Sequence, residues 1–268
     1  MLNTVILTVH NKEKTIKRIL YKLIKNTSNN TIKLIIILDG CTDQTANKIK
    51  QFFKFNKTFL KVEIIFTDDI WETKANNVGL KKVKTKFATI VQDDMLILQK
   101  NWDKKLLNNF YKYKIFAISG RAAHNFNFYK NNFQVVDLIG REYPFSSKNI
   151  FGKFVGKLMA IFRPYWLYNY LNLISIRLVA NRGPLMFEMS KLKELNFFDE
   201  KFAPFELDDV DLCCRAFKKF GLYSATNPIF YIELNGSKKN SSFSAKISKN
   251  SIIKNSKIIF NRHNDLSR

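Results

Sequence analysis

The sequence predicts an α/β fold with a mainly parallel central sheet that is flanked by helices. Over the first hundred residues, short β-branched apolar runs alternate with amphipathic stretches, and the linkers between them are short. The apolar runs lack polar alternation, which is typical of strands buried on both faces. Parallel strands need crossover connections, so the alternation favours a doubly wound sheet. Such sheets bind ligands at the carboxyl ends of their strands.

The first half of the chain supplies most of the predicted sheet. Strands are predicted at residues 4–9, 33–38, 61–67 and 87–92. Helices are predicted at residues 14–25, at 74–82, and from a cap at Thr42 or Asp43 to about residue 56. The first helix has an apolar face of five residues: Ile16, Ile19, Leu20, Leu23 and Ile24. This spacing of three and four residues is the signature of an amphipathic helix.

The second half is less regular, and residues 122–180 show no steady period. The predicted elements are a helix at 101–113, a strand at 115–121 and a short helix at 190–195. A last helix starts near Asp208 and ends at Gly221, a residue suited to the left-handed end of a helix. Its apolar stripe consists of Val210, Cys213, Cys214 and Phe217.

The composition indicates a folded protein with an anionic partner. The net charge is +23 and the pI is near 9.9, which favours nucleic acid, a membrane surface or phosphorylated substrates. The three cysteines show no CxxC spacing, so we expect neither a disulfide framework nor a zinc site, but a reducing cytosol. We identify no signal peptide and no apolar run of about 18–20 residues.

Residues 143–180 carry many aromatic and basic side chains and no acidic one. Such a segment can lie on an anionic bilayer, with its aromatic rings at the headgroups and its lysines on phosphates. The alternative is an insertion whose aromatic side chains pack on the main core. The composition favours neither interpretation decisively.

Asp93 and Asp94 end the apolar run at 87–92, so they are predicted to lie at the edge of the sheet. Adjacent carboxylates repel each other unless a positive group lies beside them. Mg²⁺ or Mn²⁺ fits this place, since such ions bind one or two carboxylates together with phosphate oxygens and water. The structural alternative is that both residues serve as turn residues and helix caps.

A second acidic group lies at the start of the last helix. In the capping interpretation, Asp208 is the N-cap and Asp211 completes a pair resembling a capping box. Asp209 is then surplus, and a carboxylate held at a helix start can act as a general base for a hydroxyl. Upstream, Gly183 is a small residue that lets the backbone come close to a ligand.

These segments resemble inverting family 2 glycosyltransferases of the GT-A fold, which are nucleotide-diphospho-sugar transferases. The matching segments are TVILTVHNKEKTI at 4–16, IILDGCTDQT at 36–45, KANNVGL at 74–80, QDD at 92–94 and FDEKFAPFELDDVDLCCRA at 198–216. They correspond to the opening strand, the DDGSTD segment, the ARNxGL stretch, the DxD position and the EDVDL segment of the family. Several motifs in order are more specific than any one of them.

The resemblance implies roles for individual residues. The nucleotide-sugar donor, which we expect to be a UDP-sugar, would be held by Thr8, His10, Glu13, Asp39, Lys74, Asp93 and Gly183. Among these, Asp39 would accept a hydrogen bond from the uracil imide, and Lys74 would meet the diphosphate. Asp94, with Asp93, would hold Mn²⁺ or Mg²⁺. Asp208 or Asp209 would deprotonate the acceptor hydroxyl, and transfer would proceed with inversion.

The resemblance also implies an organisation for the chain. Residues 1–235 would form the transferase domain, followed by a basic, helical tail at 236–268. Within the domain, 1–121 would bind the nucleotide, 122–180 would be a variable insertion, and 181–235 would carry the acceptor and catalytic half. The acceptor would be a cell-envelope glycan or a lipid-linked sugar. The enzyme would be cytoplasmic, with 143–180 at the inner face of the membrane.

Three positions depart from the family pattern. Gln92 stands in place of the first acid of DxD, and Asp208 stands in place of a longer glutamate. Glu233 occupies a late strand where the family often has histidine. His263 is either a substitute for that histidine or a surface residue. Loss of metal dependence is compatible with these changes.

Several other functions compete with this hypothesis. A nucleotidyltransferase also places carboxylates at strand ends, but it normally has a Gly-rich basic loop after the first strand, which this chain lacks. A dehydrogenase or a P-loop ATPase would need glycine motifs that are also missing. A nucleic-acid-binding protein would fit the charge, but no recognition motif is present, so we expect no specific nucleic acid. The surviving acidic pairs argue against a non-catalytic sugar-nucleotide binder.

Overall fold

The computed structural model describes residues 2–140, 174–234 and 241–267. Most of the segment predicted to contact a membrane, up to residue 173, lies outside the described residues. In the described part of the chain, no helix combines the length and the apolar character needed to cross a bilayer.

The described residues form thirteen strands, seven α-helices and two short 3₁₀ helices. The strands are β1 Asn3–Val9, β2 Thr31–Asp39, β3 Lys61–Thr67, β4 Phe87–Gln92, β5 Met95–Ile97, β6 Ala117–Ser119, β7 Ala122–Tyr129, β8 Asn132–Gly140, β9 Ser175–Arg177, β10 Val179–Ala180, β11 Leu185–Glu188, β12 Ser224–Thr226 and β13 Tyr231–Glu233. The α-helices are α1 Ile16–Asn26, α2 Thr45–Phe55, α3 Trp71–Lys81, α4 Trp102–Lys112, α5 Met189–Glu194, α6 Asp208–Phe220 and α7 Ser241–His263. The 3₁₀ helices are Glu200–Phe202 and Asn264–Leu266.

A central sheet of eight strands organises the fold, in the order β3-β2-β1-β4-β11-β6-β12-β9. The pairings β3–β2, β2–β1, β1–β4 and β6–β12 are parallel, and the other three are antiparallel. The predicted α/β fold with a mainly parallel sheet is therefore confirmed. Two smaller sheets accompany it, β10-β7-β8 and β13-β5.

The strand order reverses at β1, because β2 lies on one side of it and β4 on the other. Thr8 near the end of β1 pairs with Ile37 of β2 and with Gln92 of β4. The carboxyl ends of these strands therefore meet at one edge of the sheet. A reversal of this kind opens the crevice in which α/β proteins bind ligands.

Helices cover both faces of the sheet. Leu7 of β1 packs in the same buried cluster as Leu20 of α1, whereas Ile6 packs on the opposite face with Leu80 of α3. Gly79 lets α3 come close to the sheet, since a Cβ at this position would lie 2.7 Å from Ile6 Cγ2. Burial of each such Leu or Ile side chain contributes about 1.5–3 kcal/mol.

Two helix starts differ from the predictions. Helix α3 begins at Trp71, earlier than predicted, because Asp39 on β2 accepts hydrogen bonds from the Ile70 and Trp71 N–H groups. The N-cap of α6 is Leu207, with a left-handed φ of 61°, so the prediction of Asp208 as the cap is wrong. In α3 a tertiary contact replaces the local cap, whereas in α6 the Asp208 and Asp209 carboxylates accept from the first-turn N–H groups of Asp209 and Val210.

The C-terminal helix α7 packs onto the main fold. Ile259 is fully buried in a cluster with Val210 and Cys213 of α6. His263 is also buried, and its Nε2 lies 3.0 Å from Asp211 Oδ1. The interpretation of His263 as a surface residue is therefore wrong. The predicted pairing of Asp211 in a capping box is wrong as well, because its carboxylate contacts Arg215, Arg262 and His263.

Candidate active site

The loops that follow β1 and β2 are tied together by hydrogen bonds. Asn11 Oδ1 accepts from the backbone N–H groups of Thr42 and Asp43, at 2.9 and 3.2 Å. Glu13 Oε2 accepts from the Gln44 N–H at 3.1 Å. The backbone of Asn11 has a φ of 50°, a conformation that asparagine tolerates better than most residues. The two loops therefore form one wall beside the strand-order reversal.

Asp39 connects the end of β2 to the start of α3. Its carboxylate is 3% exposed and accepts three hydrogen bonds, from Thr67 Oγ1 at 2.7 Å and from the N–H groups of Ile70 and Trp71 at 2.9 Å. A carboxylate can accept about four. One acceptor position therefore remains, and the contact with a uracil imide stays a prediction.

The other residues predicted to hold the nucleotide surround this point. His10 Nδ1 lies 2.7 Å from the Asp39 carbonyl oxygen. Thr8 Oγ1 donates to Asn76 Oδ1 of α3 at 2.8 Å. Lys74 lies on the same helix and is half-buried. The structure therefore places Thr8, His10, Asp39 and Lys74 on adjoining elements, although no contact tests their roles.

The acidic pair behind β4 has two different environments. Asp93 contacts Lys12 Nζ at 3.3 Å and accepts from the His10 N–H at 3.0 Å. Burial raises the pKa of Asp93 to about 6, although Lys12 and the His10 N–H favour its charged form. Among the residues that the structure describes, no group donates a hydrogen bond to the buried Oδ1 of Asp94. Asp94 is therefore the acid with unused ligand capacity.

The carboxylate oxygens at this place fit a divalent cation that binds together with a phosphate group. In the described ranges, no group of three His, Cys, Asp or Glu side chains forms a preformed metal site. Mg²⁺ and Mn²⁺ need only one or two carboxylates when phosphate oxygens and water complete the shell. The orphan Oδ1 of Asp94 meets that requirement, with Asp93 beside it.

Gly183 lies against this acidic end of the site. Its φ is +96°, and a Cβ here would lie 2.8 Å from both Gln92 Oε1 and Met95 Sδ. Only glycine satisfies both the backbone conformation and the space. The sequence predicts that the backbone at Gly183 comes close to a ligand. In the structure it comes close to Gln92, the residue that replaces the first acid of DxD.

Arg182 joins the two halves of the chain. Its Nη1 lies 3.0 Å from Glu72 Oε1, its Nη2 lies 2.8 Å from Asp208 Oδ1, and its N–H donates to Asp209 Oδ2 at 3.1 Å. Burial acts against its charge, but Asp208 and Glu72 outweigh this effect and raise the pKa of the guanidinium. Glu72 also receives a long hydrogen bond of 3.5 Å from Gln92. A continuous polar chain therefore links the acidic end of β4 to the start of α6.

Neither Glu72 nor Arg182 was identified as a site residue from the sequence. Both residues lie outside the segments that resemble the family. The one general indication is that an arginine, if it is buried, needs carboxylate partners. The pairing itself spans more than a hundred residues, so local sequence could not indicate it.

Asp208 and Asp209 have distinct positions. Asp208 is fully buried; its Oδ2 accepts from Thr73 Oγ1 at 2.9 Å, and its Oδ1 accepts from Arg182 and from the Asp209 N–H. Burial and the Asp209 charge raise the pKa of Asp208, and Arg182 opposes them. Asp209 is half-buried, and within the described part of the chain its carboxylate accepts from the backbone N–H groups of Arg182 and Val210. Asp209 is the more accessible carboxylate of the two.

Glu233 and His263 occupy different regions. Glu233 on β13 pairs with Met95, the residue after Asp94, so it lies beside the acidic end of β4. The Leu234 N–H donates to the Asp94 carbonyl oxygen at 2.7 Å. His263 contacts Asp211, and the structure therefore does not bring it to the Asp93–Asp94 pair.

Comparison with known proteins assigns the family. Residues 4–170, more than half of the chain, match the model of Glycosyl transferase family 2. The chain belongs to glycosyltransferase family 2. No curated protein sequence matches it. The resemblance identified from the motifs is thus confirmed.

Solved structures confirm the GT-A fold. A mannosyltransferase from Pyrobaculum calidifontis, in complex with GDP-Man and Mn²⁺, superposes with a TM-score of 0.61 at 13% identity, over 98% of this chain and 70% of that one. TarS from S. aureus, residues 1–349 in complex with UDP, gives a TM-score of 0.57 at 15% identity. The latter match covers 95% of this chain and 65% of TarS.

Proposed function

We propose that this family 2 glycosyltransferase moves a sugar from a nucleotide-diphosphate donor to an acceptor hydroxyl, with inversion. The observation that carries the proposal is the contact set of Arg182. It joins Glu72, which is hydrogen-bonded to Gln92 at the proposed donor end, to Asp208 and Asp209 at the proposed acceptor end. Donor and acceptor groups need this proximity for direct displacement.

Asp209 is the residue we assign as general base. A base must reach the acceptor hydroxyl, and Asp209 is half-buried whereas Asp208 is fully buried. The oxygens of Asp208 are committed to Arg182, Thr73 and the Asp209 N–H. We therefore assign Asp208 the role of holding Arg182 and the start of α6 in place.

The donor would occupy the edge of the sheet at the strand-order reversal. In the proposed complex, Thr8, His10, Glu13 and Asp39 hold the base and ribose, and Lys74 meets the diphosphate. Two structural neighbours contain GDP-Man and UDP, so both nucleotides enter the test. We favour UDP because Asp39 retains one acceptor position for an imide N–H.

Asp94, with Asp93 beside it, would hold a divalent cation on the diphosphate. When bound, Mn²⁺ or Mg²⁺ neutralises the charge that develops on the departing diphosphate. Lys12 contacts Asp93 and supplies a positive charge to the same corner. In the proposed complex, Lys12 and the bound cation would both bring positive charge to the leaving group.

The reaction follows from these positions. Asp209 takes the proton of the acceptor hydroxyl, and the acceptor oxygen forms a bond to the anomeric carbon on the face opposite the nucleotide. The bond from that carbon to the diphosphate oxygen breaks, and the nucleoside diphosphate carries away the electron pair. A single displacement of this kind inverts the anomeric configuration.

The proposed acceptor is a cell-envelope glycan or a lipid-linked sugar. The net charge of +23 supports attraction to an anionic membrane surface. We assign that contact to residues 143–180, at the inner face of the membrane. The nucleotide-binding half, 1–121, and the acceptor half, 181–235, would meet at Arg182.

A panel of sugar nucleotides tests the donor assignment. Thermal unfolding is measured with UDP-, GDP- and TDP-sugars, each with and without Mn²⁺. We expect the midpoint to rise with one nucleotide class, and to rise further with Mn²⁺, because ligands that bind the native state stabilise it. A flat response to the whole panel would contradict the proposed donor site.

A further inference from the structure

The segment that leads into α6, the helix of the proposed base Asp209, has little regular structure. Between Phe202, the end of a 3₁₀ helix, and α6, the backbone contains a cis peptide at Ala203–Pro204 and left-handed φ values of 76° at Glu206 and 61° at Leu207. Neither of these two residues is glycine, so other contacts must hold the conformation. We refer to residues 201–206 as the base loop.

The carbonyl groups of the base loop receive their hydrogen bonds largely from one place. Lys254 Nζ donates to the carbonyls of Lys201 and Ala203, at 2.8 and 3.1 Å. The Asn255 side-chain amide donates to the carbonyls of Phe202, Phe205 and Glu206, at 3.0, 3.1 and 2.7 Å. The remaining carbonyl, that of Pro204, accepts from the Thr73 N–H at 3.3 Å. Two consecutive residues of α7 therefore satisfy five of these six carbonyls.

Asn255 is the buried member of this pair. Its side chain is 0% exposed, whereas Lys254 is exposed. One amide NH₂ group has two hydrogens, so its three contacts include a shared hydrogen bond. Two further residues of the same helical face, Ser248 and Arg262, lie seven positions to either side of it. Ser248 Oγ donates to Glu206 Oε1 at 2.7 Å, and Arg262 Nη2 lies 2.8 Å from Asp199 Oδ2.

From these contacts we propose that Asn255 is a positioning residue for transfer: it fixes the base loop so that Asp209 faces the acceptor hydroxyl. This inference rests on the proposed function. Asn255 touches neither substrate nor reacting atom in this scheme and acts only through the backbone that leads into α6. An error of about 1 Å in the position of a catalytic group can lower a rate about 10²-fold.

Two substitutions separate lost hydrogen bonds from a simple packing defect. Asn255→Ala removes the donors and leaves a hole, whereas Asn255→Asp keeps the shape but turns a carboxylate oxygen towards carbonyl oxygens. If the donors matter, Asn255→Asp lowers kcat more than Asn255→Ala does. If only the packing matters, the order is reversed. Asn250→Ala and Asn250→Asp are matched controls at an exposed position of the same helix.

The kinetic test compares the change in kcat with the change in the Kd for the nucleotide. We expect kcat to fall about tenfold or more in both Asn255 variants, while the Kd for the nucleotide that stabilises the wild type stays within about twofold. Wild-type kcat in both variants would overturn the proposal. A parallel loss of nucleotide binding or folding would also overturn it, since Asn255 would then act on the fold as a whole.

Hydrogen exchange gives a readout that does not depend on any activity. In Asn255→Ala, the amides of Asp209, Val210 and Asp211 should exchange about tenfold faster than in wild type, and in Asn250→Ala they should not. Unchanged exchange at these amides would remove the positioning role even if transfer were affected. If Asn255→Ala exchanges faster but the wild-type protein transfers no sugar, the positioning of the base loop by Asn255 would stand and the proposed function would be refuted.

Discussion

Arg182 Nη2 lies 2.8 Å from Asp208 Oδ1, and both side chains are buried. Each residue depends on the other, because an isolated charge inside a protein costs several kcal/mol. Glu72 shares the same guanidinium at 3.0 Å. The pair therefore fixes the start of α6 relative to α3.

Arg182→Met should lower the free energy of unfolding by about 3–5 kcal/mol, because it leaves Asp208 without its counter-charge. Combining it with Asp208→Asn should cost less than the sum of the single changes, since the buried charge is then absent. Urea unfolding of the four proteins in this cycle measures the coupling. Strictly additive free energies would show that the two side chains do not depend on each other.

Asp209→Asn should lower kcat about 10²–10⁴-fold and leave nucleotide affinity unchanged, because the amide cannot accept the acceptor proton. Asp208→Asn should act mainly on stability, since its carboxylate is buried and paired. Transfer assays and calorimetry on both variants make the comparison. If Asp208→Asn lost transfer while Asp209→Asn kept it, the two assignments would have to be exchanged.

Asp94→Ala should abolish the Mn²⁺-dependent part of nucleotide binding, because it removes the carboxylate with the unused Oδ1. Asp68→Ala is a suitable control, since Asp68 is an exposed aspartate. Calorimetric titration with the nucleotide, in the presence and absence of Mn²⁺, measures the change in affinity. An equal Mn²⁺ enhancement in Asp94→Ala and wild type would disprove the metal-binding role.

Asp211 should make the fold sensitive to acid. Burial acts to raise its pKa, but His263, Arg215 and Arg262 outweigh burial and lower the pKa from 3.8 to about 2. The lowered pKa stabilises the fold fully above pH 3.8, and this stabilisation of about 2 kcal/mol disappears as the pH falls towards 2.

Asp211→Asn should therefore remove this part of the pH dependence. Unfolding free energies at several pH values between 2 and 5 test the prediction, with Asp68→Asn as an exposed control. A slope that is the same in Asp211→Asn and wild type would assign the acid sensitivity to other carboxylates.

The sheet was predictable because its signal is local. Apolar, β-branched runs define β3 and β4, whose bounds coincide with the predicted strands at 61–67 and 87–92. The hairpin of β7 and β8 lies in the segment predicted to be irregular, although only Lys130 and Asn131 separate its two strands. Both turn residues have the left-handed φ of a two-residue hairpin turn, but neither is the glycine that usually marks such a turn in a sequence.

The candidate site was predictable where residues follow strand ends and motifs, as Asp39, Asp93 and Asp94 do. The role of Arg182 was not, since its partners Glu72 and Asp208 are distant in sequence. For the same reason the start of α3 was missed, because its cap comes from another strand. Local sequence identified the acids but not the groups that hold them.

The first turn of α3 serves both ends of the cleft at once. The Trp71 N–H donates to Asp39 on the proposed nucleotide side, and two residues later Thr73 Oγ1 donates to Asp208 on the side of the proposed base. Under the proposed function, donor choice and acceptor choice are therefore coupled through α3. Attempts to swap its sugar nucleotide by grafting loops should carry α3 along with the graft, or turnover will suffer even where binding is regained.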